Sequence, residues 1–257
     1  MRGNDPVLGA LGALATAAAP AGLGERLFTG WLRVPSRLGE VYVAVTGDGV
    51  QFVRPAAAVH DDPTAFAAAY RRRFARPLRP ADRAPAGLLP ALRGRPAGSL
   101  RLDLGALSEF ERGVLAATRR IPAGETRPYA WVAREAGRPQ AVRAAAGVLA
   151  RNPVPLLVPC HRVIRADGRI GEYMFGPEHK EQLLRGEHAD LDTLVGYARR
   201  GVHFLGSDTT GIVCFPSCHN ARRISAAHRQ EFRSVAGAVA AGYRPCHSCR
   251  PVSAQQC

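Results

Sequence analysis

Asn152-Pro153-Val154-Pro155-Leu156-Leu157-Val158-Pro159-Cys160-His161-Arg162-Val163 is the stretch on which the reading of this chain turns. An apolar run ends in a thiol held between a rigid proline and a histidine. Cysteine is weakly ionised at neutral pH, and a neighbouring base or positive field makes it a nucleophile. Taken alone, Cys160-His161 equally describes a buried structural cysteine beside a histidine. The flanking chain has to decide.

Upstream, Pro128 begins a short helix through Ala136, with proline at N1, where its missing N–H does no harm. Gly137-Arg138-Pro139 turns the chain, and a second helix runs from about Gln140 to Arg151, ending at Asn152-Pro153. Helix, short glycine-containing turn, helix is the helix-turn-helix shape. The second helix carries Arg143, Ala144, Ala145, Ala146 and Gly147, small residues that permit close approach to a groove beside one arginine that can reach. An αα-hairpin packing on alanine fits the same pattern. Before it, Ser108-Glu109-Phe110-Glu111 is a capping box opening a helix with Phe110, Val114, Leu115 and Thr118 on one side. After Cys160, Asp167-Gly168 makes a turn. A helix from Pro177 to Glu187 follows, with Lys180, Leu183 and Leu184, and another near Leu191 to Ala198.

The N-terminal third reads as β-structure: Trp31 to Val34, Val41 to Val45 and Val50 to Val53, with Gly47-Asp48-Gly49 as a hairpin signal. Pro63 opens a helix with Phe66, Tyr70 and Phe74 on one face. Residues 76–99 read as loop, with a short strand near Leu100 to Leu102. Val7 to Ala21 reads as a packing helix and not as a signal peptide, because Asp5 stands where a basic flank would be needed.

The chain has 257 residues, a net charge of +14 and a hydrophobic fraction of 46%. Buried cores are affordable, and the charge favours a polyanionic partner such as nucleic acid. Lys180 is the only lysine among the many arginines, which singles it out. No apolar run is long enough to span a membrane.

The stretch from Phe110 to Glu187 closely resembles the O6-alkylguanine-DNA alkyltransferases. The resemblance rests on Ile121-Pro122-Ala123-Gly124, Tyr129, Gly137-Arg138-Pro139, Arg143-Ala144, Asn152-Pro153, Pro159-Cys160-His161-Arg162-Val163, Gly171, Tyr173, Lys180 and Leu183-Leu184. The part around Leu38-Gly39-Glu40-Val41 and the Asp-Gly hairpin is similar, less specifically, to that family's ribonuclease H-like N-domain. The resemblance implies that Cys160 takes the alkyl group from O6 of guanine in duplex DNA, once per molecule and without a cofactor. His161 would remove the thiol proton through a water, Glu187 would orient His161, and Asn152 would brace the turn. The base would be flipped out, with Arg143 filling its place and Tyr129 pressing on the flanking phosphate. Ala144 and Gly147 would let the helix approach the groove, and Tyr173 and Lys180 would hold the guanine. Leu115, Arg127-Pro128 and Met174-Phe175 depart from the family's usual residues, the last in the loop over the base pocket.

Cys214-x-x-x-Cys218 and, after a spacer, Cys246-x-x-Cys249 have the layout of a four-thiolate zinc site in a reduced compartment. His219, His228 and His247 are expected to face solvent, and Cys257 to be incidental. The surrounding residues, Asp208 to Cys218 and Ala241 to Cys246, look like the zinc domain of the Ada response protein, whose first cysteine (here Cys214) accepts a methyl group from a DNA phosphotriester. Asp208 stands where a basic residue is usual, so a structural or DNA-docking zinc domain and a second acceptor both stay open. Arg222 and Arg223 are candidate phosphate contacts. No further helix-turn-helix follows Cys249, so the transcription-activating part of that protein is not expected.

The expectation is an α+β chain: an N-terminal helix or tail (1–28), a ribonuclease H-like N-domain (29–104), a helix-turn-helix-containing alkyltransferase domain (105–188) and a small C-terminal zinc domain (189–257). It would be a cytoplasmic, monomeric DNA-repair alkyltransferase binding zinc and double-stranded DNA that contains O6-alkylguanine. The alternative is an alkylated-DNA-binding or damage-response regulatory protein without useful transfer.

Overall fold

The computed structural model describes residues 27–96 and 98–251; the helix expected over Val7 to Ala21, and Cys257, lie outside them. Strands β1 (Thr29–Ser36), β2 (Gly39–Thr46) and β3 (Gly49–Pro55) form an antiparallel meander, and β4 (Leu78–Pro80) adds in parallel beside β1, giving the order β3-β2-β1-β4. The β2–β3 turn is two residues long, Gly47-Asp48, between paired Thr46 and Gly49. Glycine is required at 49, where φ is 139° and a Cβ would lie 2.3 Å from Arg101 O.

Alternation along β2, with a register irregularity opposite Ala44 and Val45 that turns Val50 and Phe52 to opposite sides of β3, gives this sheet two buried faces. Tyr42, Ala44 and Phe52 face helix α1 (Pro63–Phe74), where the Tyr42 ring stacks on Phe66 and the Phe52 ring meets Tyr70 edge-on. Val41, Val43, Val50 and Val53 face the other way, into the cluster that includes Cys160. Asp62 caps α1, accepting from Thr64 N at 2.7 Å and Ala65 N at 3.2 Å, which fixes Pro63 at N1. Residues 76–99 are not all loop, as expected from their Pro and Gly content: they contribute β4 and α2 (Leu88–Leu92), whose Leu88 and Leu92 are fully buried. Hydrophobic burial overrides local propensity there. Leu102 forms only an isolated bridge with Val50.

Helix α3 (Glu109–Arg119) begins with the expected capping box, Glu111 N to Ser108 Oγ at 3.3 Å and Ser108 N to Glu111 Oε2 at 2.9 Å, and buries Leu115 completely. Two-residue β5 (Arg127–Pro128) pairs in parallel with β6 (Val163–Ile164), directly after Cys160. Between them lie α4 (Tyr129–Glu135) and α5 (Val142–Ala150), joined through Gly137 at φ 79°. Pro128 is the N-cap of α4, not N1 as expected, because its backbone is already committed to β5. Helices α6 (Pro177–Gly186) and α7 (Leu191–Arg199) lead to a second four-stranded sheet, order β10-β8-β7-β9, made of β7 (Phe204–Ser207), β8 (Ile212–Cys214), β9 (Arg229–Phe232) and β10 (Arg244–Pro245). Helices α8 (His219–Arg222) and α9 (Val235–Ala240) complete it; Ser234 caps α9, and Gly242, at φ 87°, follows it. No helix of the described residues is long and apolar enough to cross a membrane.

Candidate active site and thiolate centre

Asn152 organises the loop that carries the thiol. Its Nδ2 donates to Val158 O at 3.0 Å and to Cys160 Sγ at 3.3 Å, while its Oδ1 accepts Val154 N at 3.0 Å. The loop is tight enough to hold Leu156 at φ 71°, a conformation a branched side chain avoids without such restraint. Cys160 then opens a single 3-10 turn and is 5% exposed. Burial pushes its thiol pKa up, and the Asn152 hydrogen bond and the Lys180 charge pull against that rise. The site therefore needs a base.

His161 is fully buried next to it. Its Nε2 meets Glu187 Oε1 at 2.8 Å, and its Nδ1 is buried with no partner. Glu187, at the C-cap of α6, also accepts from Arg162 Nε at 2.8 Å and Nη2 at 3.0 Å, and from Arg37 Nη1 at 2.7 Å. Burial alone would raise the Glu187 pKa; the hydrogen bonds and charges of His161 and Arg162 hold it well below the usual carboxylate range. Burial pushes His161 down, Glu187 pulls it up, and Arg162 and Arg37 push it down again, leaving it below its ordinary value. At neutral pH this is a neutral imidazole, oriented by an ionised carboxylate, with one nitrogen free. That is the state a base must be in.

The Ile121-Pro122-Ala123-Gly124 turn closes over Glu187. Arg162 Nη1 donates to Ile121 O at 2.6 Å, and a Cβ on Gly124, at φ 73°, would lie 2.6 Å from Glu187 O. Only glycine permits that approach. Lys180 is also fully buried, donating to Val163 O at 2.7 Å and Glu172 O at 3.3 Å, with its pKa lowered by burial to about 8. Tyr173 lies edge-on to His161, ring centroids 6.4 Å apart, and its buried hydroxyl faces the Cys160 thiol, which after burial contributes to raising the Tyr173 pKa. Met174 and Phe175 are half-buried, and the Phe175 ring is edge-on to Tyr173. Tyr129, at the start of α4, is half-buried, and the Cys160 charge contributes to its raised pKa after burial. On α5, Arg143 and Ala144 are exposed and Gly147 is half-exposed.

Cys160, His161, Glu187, Asn152, Tyr173 and Lys180 thus share one buried locus, with Tyr129 at its edge and the Arg143, Ala144 and Gly147 stretch of α5 facing outward. Sequence reasoning gave Arg162 no role and missed Arg37, which lies 150 residues from Glu187. No local pattern marks such a contact.

The second constellation is Cys214, Cys218, Cys246 and Cys249, all buried, with sulfur atoms within 4.8 Å of one another. Four thiolates so close cannot all stay ionised without a cation, and the spacing suits tetrahedral zinc. Asn220 Nδ2 donates to Cys246 Sγ at 3.5 Å, the outer hydrogen bond such sulfurs receive. A cavity of about 370 Å³ reaches Cys214 and none of the other three, and is also lined by Thr209, Thr210, Asn220, Arg223 and His228. Arg222 lines a different cavity, beside Gly124. Asp208 is paired with His228 at 2.9 Å.

The ligand loops are fastened to the chain around α4. Thr126 N donates to Ser217 Oγ at 2.9 Å, and Ser217 Oγ donates to Thr126 O at 3.0 Å. Trp131 Nε1 donates to Cys249 O at 2.9 Å. Glu125 accepts from His219 N at 3.0 Å and meets its Nδ1 at 3.1 Å, so His219 is exposed, as expected, but is also held on one side by Glu125. Glu125 also pairs with Arg127, whose buried guanidinium lies 5.8 Å from the Trp131 ring and 5.4 Å from Phe215. Arg127→Ser is expected to cost roughly 3–5 kcal/mol, because it leaves the Glu125 carboxylate buried without its cation. Chemical denaturation of the purified variant measures that loss, and an unchanged midpoint would count against it.

Residues 109–189 match the family described as the 6-O-methylguanine DNA methyltransferase DNA-binding domain, and residues 197–252 match the metal-binding domain of Ada. A methylated-DNA–protein-cysteine methyltransferase of Methanothermobacter thermautotrophicus is 47% identical over 91 residues, 35% of this chain and 51% of that protein. The Ada bifunctional transcriptional activator and DNA repair enzyme of Escherichia coli is 46% identical over 78 residues, 30% of this chain and 22% of that protein. The chain spans about half the length of the first relative. Among solved structures, Mycobacterium tuberculosis OGT in complex with DNA aligns with a TM-score of 0.50 at 28% identity, covering 64% of this chain and 98% of that one. The matched portion has the mixed α+β fold of that structure.

Proposed function

We propose that this chain, with its methyltransferase-type DNA-binding region at 109–189 and Ada-type metal-binding region at 197–252, is a methylated-DNA–protein-cysteine methyltransferase acting once per molecule on O6-alkylguanine in duplex DNA. The observation that carries the reading is the buried thiol beside an oriented, neutral histidine whose remaining nitrogen is unpartnered. The Cys160 proton passes through a bridging water to His161 Nδ1. The sulfur attacks the alkyl carbon, the S–C bond forms as the C–O6 bond breaks, and guanine leaves as its anion, which takes a proton from water while the His161 imidazolium returns its own to solvent. Tyr173 supplies a hydroxyl, and Lys180 a positive charge, to the departing base. The thioether is stable, so the protein is consumed without a cofactor in the transfer.

The target atom is hidden in a duplex, so the nucleotide is flipped out. On this reading α4 and α5 are a helix-turn-helix: Arg143 enters the vacated stack, Ala144 and Gly147 allow close approach, and Tyr129 meets the flanking phosphate. Residues 29–104 are taken as a ribonuclease H-like N-domain and 105–188 as the alkyltransferase domain. The unit acts as a cytoplasmic monomer.

Cys214, Cys218, Cys246 and Cys249 would hold zinc, whose charge keeps these thiols deprotonated at neutral pH. Because the cavity with Arg223 and Thr209 reaches only Cys214 among them, we read Cys214 as a second acceptor, taking methyl from a DNA methylphosphotriester. The S–C bond forms as the methyl C–O bond breaks, and an ordinary phosphodiester leaves.

Incubation with duplex containing O6-methylguanine, followed by peptide mass mapping, is expected to place one methyl group on Cys160. An unmodified Cys160 with DNA binding intact sinks the repair reading. Methylphosphotriester duplex is expected to label Cys214, and a label absent there leaves the cysteines as metal ligands only.

A further inference from the structure

Helix α5 carries Arg143, Gly147 and, at its C-cap, Arg151 at i, i+4 and i+8, one stripe along the helix. A methyl group placed on Gly147 would lie 3.5 Å from Arg151 Nη1, so the exposed Arg151 guanidinium folds back along this stripe. Two more arginines meet it from the N-terminal sheet and its helix. Arg73, in the last turn of α1, donates through Nη1 to Arg151 O at 2.6 Å. Arg54, in β3, lies 4.0 Å above the Phe52 ring and donates through Nη1 to Val53 O at 2.7 Å, with Asn152 O at 3.4 Å.

Among the described residues none of the three has a carboxylate partner, although many of the other arginines are paired. The acid that acts on Arg73 and Arg151 is Glu111, whose carboxylate is engaged in the α3 capping box. Like charges brought together in this way repel. Burial and the neighbouring Arg73 push the Arg54 pKa down to about 10, and burial lowers Arg73. Backbone carbonyls hold Arg54 and Arg73 in place, but carbonyls do not neutralise them. An anion does, and a guanidinium matches phosphate geometry.

We propose that Arg54, Arg73 and Arg151 form a phosphate clamp that extends the DNA interface from the exposed face of α5 onto the N-terminal sheet and helix. Arg143 and Arg151 are eight residues apart, roughly 12 Å along the helix axis, so the clamp engages backbone beyond the flipped nucleotide. It reads no sequence; it fixes register. The inference rests on the DNA-repair reading above, and it names a part of the interface that α4 and α5 do not provide.

The test is binding of the full, zinc-loaded chain to unmodified duplex at several salt concentrations. Each phosphate contact contributes about 0.9 to the slope of log affinity against log salt. An Arg73→Gln/Arg151→Gln protein is therefore expected to have a slope smaller by about 2. Between 50 and 200 mM salt the wild type should then lose about tenfold more affinity than the variant. Arginine-selective modification of the wild type provides a measurement independent of variant folding: duplex should protect Arg73 and Arg151 along with Arg143. A wild-type slope in a folded variant, or protection of Arg143 alone, overturns the clamp. Failure of the wild type to bind duplex or to label Cys160 would instead overturn the repair reading, which the Cys160 label reports separately.

Discussion

A Cys160→Ala protein is expected to transfer no methyl group from O6-methylguanine duplex while still binding that duplex. Loss should be complete, because alanine offers no nucleophile and no other thiol of the described residues lies at this locus. The companion variant, Glu187→Gln, separates the nucleophile from its activation. It leaves Cys160 and His161 in place but removes the carboxylate shared by His161, Arg162 and Arg37. The single-turnover rate should fall by roughly 10²–10⁴, the usual span of general-base contributions, and the partly buried Arg162 and Arg37 guanidiniums lose their counter-ion, at a cost of up to about 3 kcal/mol. The pH dependence has a definite sign. Glu187 is held below its ordinary carboxylate range, so its stabilisation is present above the unfolded value of about 4.3 and is lost as pH falls below it. The wild type should therefore lose stability on acidification in a step that Glu187→Gln lacks. Rapid-quench transfer rates and melting curves taken from pH 3 to 7 measure both. A Glu187→Gln protein with wild-type rate, or transfer surviving in Cys160→Ala, would remove the assignment.

Much of this site is legible in the sequence because its parts are local. Asn152 and Cys160 are eight residues apart, and the loop between them is short enough that proline content and an apolar run describe it. The capping box at Ser108 and the two-residue hairpin at Gly47-Asp48 are equally local, and both form as written. The sequence also marks Gly124, although its reason appears only when Glu187 O lies where a Cβ would go. What stays hidden depends on long-range packing. Arg37 reaches Glu187 across 150 residues, and Arg127 reads only as a departure from the family's usual residue until Phe215 and Glu125 are seen around it. Residues 76–99 read as loop because proline, arginine and glycine dominate them, yet Leu88 and Leu92 find a core that local propensity cannot report.

Removing the metal is expected to damage the alkyl-transfer site as well as the cysteine centre. Without a cation, four sulfurs within 4.8 Å repel or reprotonate, and the Cys214–Cys218 and Cys246–Cys249 loops lose their common anchor. Structural zinc sites contribute apparent free energies of about 10–16 kcal/mol, which exceeds the stability of most small units, so the second sheet should lose its fixed form. The effect does not stop there. Ser217 and Cys249, which hold Thr126 and Trp131, belong to those same loops, and His219 holds Glu125 next to buried Arg127. Residues 125–131 include Tyr129 and the start of α4, while β5 pairs with β6 just after the Cys160 turn. Chelation, or Cys246→Ser, should therefore raise backbone hydrogen exchange across 204–250 and across 124–135, lower the melting temperature of the whole chain, and slow labelling of Cys160. Zinc added back should restore all three to the chelated protein. If exchange rises only across 204–250 and Cys160 labelling is unchanged, the bonds from Thr126 and Trp131 merely dock two independent units.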